Sequence, residues 1–174
     1  IAGIEVTAIP GPSALTMALV MSGLPTARFV FEGFLPRSGG ERTERITQLI
    51  DEQRTVVLYE APHRLERTLA DLELACGSLR RIVLARELTK MHEEMWRGTL
   101  HDAHKRAQAE EPRGEYVLIL EGAKPPAPPT DDELNQALRD EILAGASKKD
   151  AAARVAAKYG APKRKVYELA LMIK

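Results

Sequence analysis

The chain has 174 residues, 44% hydrophobic and 29% charged, with 12 Gly and 11 Pro; this composition excludes disordered, collagen-like and coiled-coil proteins. Its 25 basic and 25 acidic residues cancel, yet residues 148–174 hold eight basic and two acidic side chains, so a polyanionic partner should meet the C-terminal end. No apolar run reaches the roughly 18 to 20 residues that span a bilayer, no signal-peptide pattern opens the chain, and Cys76 alone excludes a disulfide framework or a thiolate zinc site. These features predict a cytoplasmic protein without membrane contact.

Glu5-Val6-Thr7-Ala8-Ile9 alternates and is β-branched, which predicts a strand stopped by Pro10-Gly11-Pro12. A helix should follow, capped by Ser13, with Ala14, Met17, Ala18 and Met21 on its buried stripe and Gly23 at its end. Phe29 to Leu35 predicts a second strand, residues 36–40 a mobile loop, and Glu41 to Glu52 an amphipathic helix. Thr55 to Tyr59 is a continuous apolar run, as expected of a strand covered on both faces. Pro62 suits a helix N1 position, Leu65, Leu69 and Leu72 form a buried stripe, and Gly77 ends it. With Ile82 to Ala85 as the next strand, residues 55–85 form a β-α-β unit with a right-handed crossover. A short strand at Glu94–Arg97, a helix capped by Thr99 and running to Glu110, and a central strand at Tyr116–Leu120 complete an α/β fold, a mixed sheet with packed helices.

Residues 123–129 hold four prolines and predict a stiff linker. Beyond it, Leu134, Leu138 and Ile142, then Ala152, Val155, Ala156 and Tyr159, then Val166, Leu169, Ala170 and Ile173 mark three helices of a small all-α module. The domain reading is therefore 1–122 α/β, 123–129 linker and 130–174 helical. The chain opens on a strand and lacks a Gly-rich strand-to-helix turn, so it reads as a fragment.

Three segments place reactive side chains where open α/β sheets bind ligands, just past strand ends. Pro10-Gly11-Pro12-Ser13-Ala14 is a strand-to-helix turn whose free N–H groups suit a ligand, although Ser13 could equally be a helix cap. Tyr59-Glu60-Ala61-Pro62-His63-Arg64 carries groups able to hydrogen-bond a sugar, accept a proton or hold a phosphate; a capped helix with a salt bridge is the plainer alternative. Arg86-Glu87-Leu88-Thr89-Lys90 again places charge past an apolar strand, and the two ends side by side would form a cleft. His92, His101 and His104 lack the spacing of a zinc site, so no metal is expected. In the tail, a helix, a turn at Gly160 and a basic helix with Lys163, Arg164 and Lys165 follow a helix-turn-helix pattern, with Lys148 and Lys149 upstream, as for a phosphate backbone.

IPGPSA, SGLP, FVFEGFLPR, YEAPHRL, LARELTK and GEYVLILEG, in this order, resemble the ribosomal RNA small subunit methyltransferase I family of the tetrapyrrole-methylase-like superfamily. The resemblance runs from Gly3 into the tail. It implies transfer of a methyl group from S-adenosylmethionine to a cytidine ribose 2′-hydroxyl in small-subunit (16S) ribosomal RNA. It also implies two α/β domains with the cofactor between them, and a homodimer at full length. Only the second domain and the tail have counterparts here, so the resemblance implies a split cofactor site. The cofactor contacts it carries over fall on Pro12, Ser13 and Ala14, on Tyr59 and Glu60, and on Leu88, by backbone more than side chain. Glu60, His63, Glu87 and Lys90 are the candidates for assisting proton loss, and Arg64, Lys148, Lys149, Lys163, Arg164 and Lys165 for binding RNA, whether as naked RNA or in the 30S subunit. Two other readings stay open: a small-molecule, tetrapyrrole-type methylase, which the basic tail and few aromatics disfavour, and a non-catalytic nucleic-acid-binding module.

Overall fold

The computed structural model describes residues 3–125 and 127–173; Pro126 of the expected linker lies outside them. Five strands, β1 (Phe29–Phe34), β2 (Thr55–Glu60), β3 (Arg81–Arg86), β4 (Glu94–Thr99) and β5 (Tyr116–Leu120), form one sheet in the order β1-β2-β5-β3-β4. β1 and β2 are parallel, while β5 runs antiparallel to both β2 and β3, and β4 antiparallel to β3. The helices of this part are α1 (Ala14–Ser22), α2 (Gly39–Ile50), α3 (Pro62–Cys76) and α4 (Leu100–Ala109). α5 (Asp131–Leu143), α6 (Lys148–Tyr159) and α7 (Lys163–Met172) belong to a second compact unit, Pro125–Lys174, separate from the first, Ile1–Lys124.

The two faces of the sheet are covered unequally. Val56, Leu58, Ile82, Leu84, Leu118 and Leu120 point to one face and pack on Ile46 and Leu49 of α2, Leu65, Leu69 and Leu72 of α3, and Leu100 and Ala103 of α4. Val57, Val83, Ala85, Val117 and Ile119 point to the other and meet Ala18 and Leu19 of α1 with Leu24. One helix covers less than three do, and on this side β1 leaves Phe31 and Phe34 at 46% and 58% exposed. They share a face because Glu32 is a bulge residue and Gly33, at φ 63°, takes the left-handed turn that restores pairing. Both rings lean on Tyr59, at centroid distances of 5.0 and 5.7 Å.

The structure corrects four expectations. Residues 3–13 form no strand and are exposed; β-branched alternation gives a strand only where a neighbour accepts its hydrogen bonds. Of the expected Ala14–Met17–Ala18–Met21 stripe of α1 only Ala18 is buried, together with Leu19 and Ser22, because a helix apolar on nearly every side has no face fixed by its own pattern. Strands β2 and β3 of the β-α-β unit are not adjacent, since β5 lies between them. The segment at 36–40 is not a free loop: α2 begins at Gly39 and two arginines bond the carbonyls before it. By contrast Pro62 opens α3 as expected, and Thr99 caps α4 through a reciprocal box with Asp102.

The second unit packs Leu134 and Leu138 of α5, Ala151, Ala152, Val155 and Ala156 of α6, and Val166 and Ala170 of α7. Thr130 and Glu133 box the start of α5, Ser147 caps α6, and Gly160 in the left-handed conformation turns the chain into α7.

Leu118, fully buried on β5 between both neighbouring strands, should be the costliest single truncation of the sheet. Leu118→Ala is expected to lower stability by about 2–5 kcal/mol in chemical denaturation, without changing the helical content of the second unit.

Candidate active site and nucleic-acid surface

Register places the ends of all five strands that matter on one edge. Phe34 pairs beside Tyr59, Glu60 and Arg86 both pair with Tyr116, and Arg86 pairs with Glu94. The C-terminal ends of β1, β2 and β3 therefore open together, with loops 35–38, 87–93 and 113–115 around them.

α1 meets this edge with its N-terminus. Leu15 packs in the same cluster as Tyr59 and Leu88, whereas the far end of α1 is held by Arg97, which donates to the carbonyls of Met21 (2.5 Å) and Ser22 (3.3 Å). A cation on the last carbonyls suits the negative end of the helix. The Ser13 hydroxyl makes no capping bond, and Pro12, Ser13 and Ala14 are exposed. The first-turn N–H groups are thus left without a side-chain cap, and Leu15 of that turn packs into the same apolar floor as Tyr59 and Leu88. Of the carried-over cofactor residues, Tyr59 and Leu88 pack against the same apolar cluster as Leu15 of α1, Pro12, Ser13 and Ala14 are exposed at the start of that helix, and Glu60 lies on the other face of the sheet.

Glu60 follows Val56 and Leu58 onto the opposite face, where it is 2% exposed. Its Oε2 accepts from Thr68 Oγ1 at 2.6 Å, and its Oε1 accepts from the Ala61 N–H at 2.9 Å and lies 3.3 Å from Arg64 Nε. Arg64 in turn donates to the Leu35 carbonyl at 2.6 Å, so its guanidinium is engaged within the fold. His63 is exposed on the first turn of α3 and makes no side-chain hydrogen bond among the described residues.

Glu87 and Lys90 form a different device. Glu87 and Thr89 both have positive φ, 50° and 65°, so this loop departs sharply from the strand before it. Glu87 Oε1 accepts from the Glu115 N–H at 2.9 Å and from Lys90 Nζ at 3.0 Å, and Lys90 also pairs with Glu115. The Glu115 amide, and then the ammonium, hold the Glu87 carboxyl below its ordinary range; the carboxylates of Glu87 and Glu115 push Lys90 up. Both groups therefore stay charged at neutral pH, and a carboxylate so stabilised is a weak proton acceptor. The turn at Gly114 fits against Glu87 only as glycine: a Cβ there would lie 2.5 Å from Glu87 Cγ, and φ is +80°. Arg86, Glu87, His92, Arg113 and Gly114 line an open depression of about 280 Å³ beside this turn.

The other histidines serve elsewhere. His101 and His104 each place Nδ1 at 2.8 Å from Glu73, and the His104 and His101 contacts bring that carboxyl down to about 2. Among the described residues no three His, Cys, Asp or Glu side chains converge as a metal site would require, and no helix is long and apolar enough to cross a membrane.

In the second unit the basic residues divide. Lys148 donates to the Ile173 carbonyl, Lys165 pairs with Asp131 at 2.6 Å, and Arg164 with Glu168 at 3.2 Å. Lys149 and Lys163 are exposed without an ion pair among the described residues.

A family model described as Tetrapyrrole (Corrin/Porphyrin) Methylases matches residues 1–104, and one described as the RsmI C-terminal HTH domain matches residues 128–174. The chain belongs to the tetrapyrrole methylase family. Relatives named Ribosomal RNA small subunit methyltransferase I bear out the resemblance carried by the motifs. The one from Synechocystis sp. is 45% identical over 98% of this chain and 62% of its own length. The one from Mycobacterium tuberculosis (strain ATCC 25618 / H37Rv) is 42% identical over 98% of this chain and 59% of its own. The chain thus spans about three fifths of these relatives. Two solved methylases share the fold: the cobalt precorrin-4 methyltransferase CbiF, with TM-score 0.54 and 16% identity over 68% of this chain and 53% of its own, and the methyltransferase CobJ, with TM-score 0.54 and 21% identity over 70% and 53%. A methylase sheet followed by a helix-turn-helix domain is the architecture found here.

Sequence reasoning passed over Arg42, Thr68, Asp71 and Gly114. Arg42 and Asp71 lie 29 positions apart, and no local pattern announces such a pair.

Gly114→Ala is expected to displace the Arg113–Glu115 turn and cost about 1–3 kcal/mol in thermal or denaturant unfolding. Because folding depresses the Glu87 pKa, its contribution is present above the ordinary carboxylate range and is lost as pH falls below it. Glu87→Gln should flatten that acid limb of the stability profile, its cost appearing at neutral pH, where the carboxylate's contribution is present, and vanishing at acid pH.

Proposed function

We propose that this chain serves S-adenosylmethionine-dependent 2′-O-methylation of a cytidine ribose in small-subunit ribosomal RNA. The observation that carries this reading is the uncapped, exposed first turn of α1, whose Leu15 packs into the same apolar cluster as Tyr59 and Leu88, in a chain 45% identical to a relative named for that ribosomal RNA. The site residues fit such a cofactor: free helix N–H groups suit its carboxylate, and the apolar floor suits its uncharged parts. S-adenosylmethionine, when bound, supplies an activated methyl group. Pro12, Ser13 and Ala14 offer backbone to it, and Tyr59 and Leu88 offer surface.

The protein's remaining task is to orient a hydroxyl and take its proton. Glu60 is committed to Thr68 and Arg64, and Glu87 and Lys90 to each other, which leaves the exposed His63 ring as the acceptor. Residues 130–174, joined through the proline-rich 123–129, form the RNA-binding module, with Lys148, Lys149, Lys163, Arg164 and Lys165 toward phosphate. The same proposal includes the 30S subunit or its RNA as partner, a homodimer at full length and a cytoplasmic location. A tetrapyrrole-type small-molecule substrate is the second reading, favoured by the exposed Phe31 and Phe34 rings, which could stack on a flat macrocycle.

In the full-length protein His63→Ala should slow methyl transfer to small ribosomal subunits by about 10²-fold or more, with subunit affinity unchanged; turnover near wild type would remove His63 from this role. Methylation of a tetrapyrrole but not of RNA would favour the second reading. Changing Lys163, Arg164 and Lys165 together to Ala should weaken RNA binding and flatten its dependence on salt by about 0.7–0.9 per lost phosphate contact. Titrations at several salt concentrations that give the same slope would leave the module without an RNA role.

A further inference from the structure

Behind the strand edge, buried charges converge in an arrangement that stability alone does not explain. Arg42, Glu60 and Thr68 are 4%, 2% and 1% exposed. Arg42 donates through Nε and Nη2 to Asp71 Oδ2 at 3.0 and 2.7 Å, and through Nη2 to Thr68 Oγ1 at 3.1 Å. Thr68 donates to Glu60, and Glu60 faces Arg64. Buried ion pairs of this kind are often no more stabilising than well-packed apolar residues of the same volume, so what they hold deserves a physical account.

They hold one backbone segment. Arg64 Nη2 donates to the Leu35 carbonyl at 2.6 Å and Arg42 Nη1 to the Pro36 carbonyl at 3.0 Å. Two consecutive carbonyls are thereby turned inward by two guanidiniums that are themselves fixed by Asp71 and Glu60. The next residue is Arg37, exposed and without a hydrogen bond or ion pair among the described residues. Two residues before the clamp's second carbonyl, the Phe34 ring lies 5.7 Å from that of Tyr59, so the clamped segment starts beside the floor of the proposed cofactor site.

Resting on the methyltransferase reading above, we propose that Arg37 contacts a phosphate of the RNA substrate next to the methylated ribose, and that Arg42 and Arg64 are positioning residues that present it. A guanidinium offers a planar fork of donors matched to phosphate oxygens. On a free loop, ordering it would cost backbone and side-chain entropy at each binding event; the clamp removes the backbone share beforehand. Arg64 acts here through the Leu35 carbonyl, not on RNA itself.

The test uses the full-length protein, S-adenosylmethionine and small ribosomal subunits. Arg37→Ala is expected to raise KM for subunits about tenfold, leave kcat and the S-adenosylmethionine Kd within about twofold, and flatten the salt dependence of subunit binding by about one contact. Arg37→Lys should recover part of the KM. Arg42→Lys keeps the charge but loses the fork, and should shift KM the same way while speeding amide exchange at Arg37 and Ser38; if that variant does not fold, Thr68→Val is the milder replacement with the same expectation. An unchanged KM and salt slope in Arg37→Ala, with a wild type that methylates RNA, would overturn this inference alone. A loosened S-adenosylmethionine Kd in Arg37→Ala would also overturn it, by assigning the arginine to the cofactor. A wild type that transfers no methyl to RNA would remove both the proposed function and this contact.

Discussion

Everything at the candidate site depends on β5 lying antiparallel between two strands that are parallel to each other. All five of its residues are buried, and it shares its ladder with β2 on one side and β3 on the other. Inserting it separates the ends of the β-α-β unit by one strand and brings the turn before β5 to the same edge as the ends of β2 and β3. That turn supplies the Glu115 N–H to Glu87 and, through Gly114, the close approach that Glu87 needs. A single pairing choice thus decides both the width of the edge and the shape of the loop after β3.

Charge at this edge is divided between groups that build it and groups that face outward. Glu60, Arg42, Arg64, Glu87 and Lys90 are bonded to one another or to backbone, while His63 and Arg37 are exposed and unengaged among the described residues. This follows from strand alternation: Tyr59 faces α1 and the adjacent Glu60 must face α3. A carboxylate one residue from an apolar floor therefore ends up on the other side of the sheet, where burial requires partners. The unequal covering of the two faces has a related consequence, since the single helix on the α1 side packs on β5, β3 and β4 and leaves the Phe31 and Phe34 rings of β1 exposed.

Much of this architecture is legible from local chemistry. The continuous apolar runs at 55–59, 82–85 and 116–120 are central strands because only a strand covered on both faces is apolar at every position. Pro62, Thr99, Thr130 and Gly160 mark helix boundaries through fixed φ, capping oxygens or a left-handed turn, and each does so within its own few residues. The motifs from IPGPSA to GEYVLILEG likewise point to the family from the sequence alone.

Strand neighbours, buried faces and side-chain partners needed the tertiary structure. The alternation at 5–9 has β propensity but no partner, α1 is too uniformly apolar to choose its own face, and β5 inserts between strands that the chain connects directly through α3. Arg42 finds Asp71 across 29 positions, and Glu60, polar and next to a strand end, looks in sequence like an active-site group until the pleat turns it inward. Period, caps and turns act over a few residues and are written locally; pairing and burial are set by packing between distant segments. The sequence by itself determined the central strands, most of the helices and the family, and the packed sheet decided which edge segment pairs and which of the charged residues at its edge face outward.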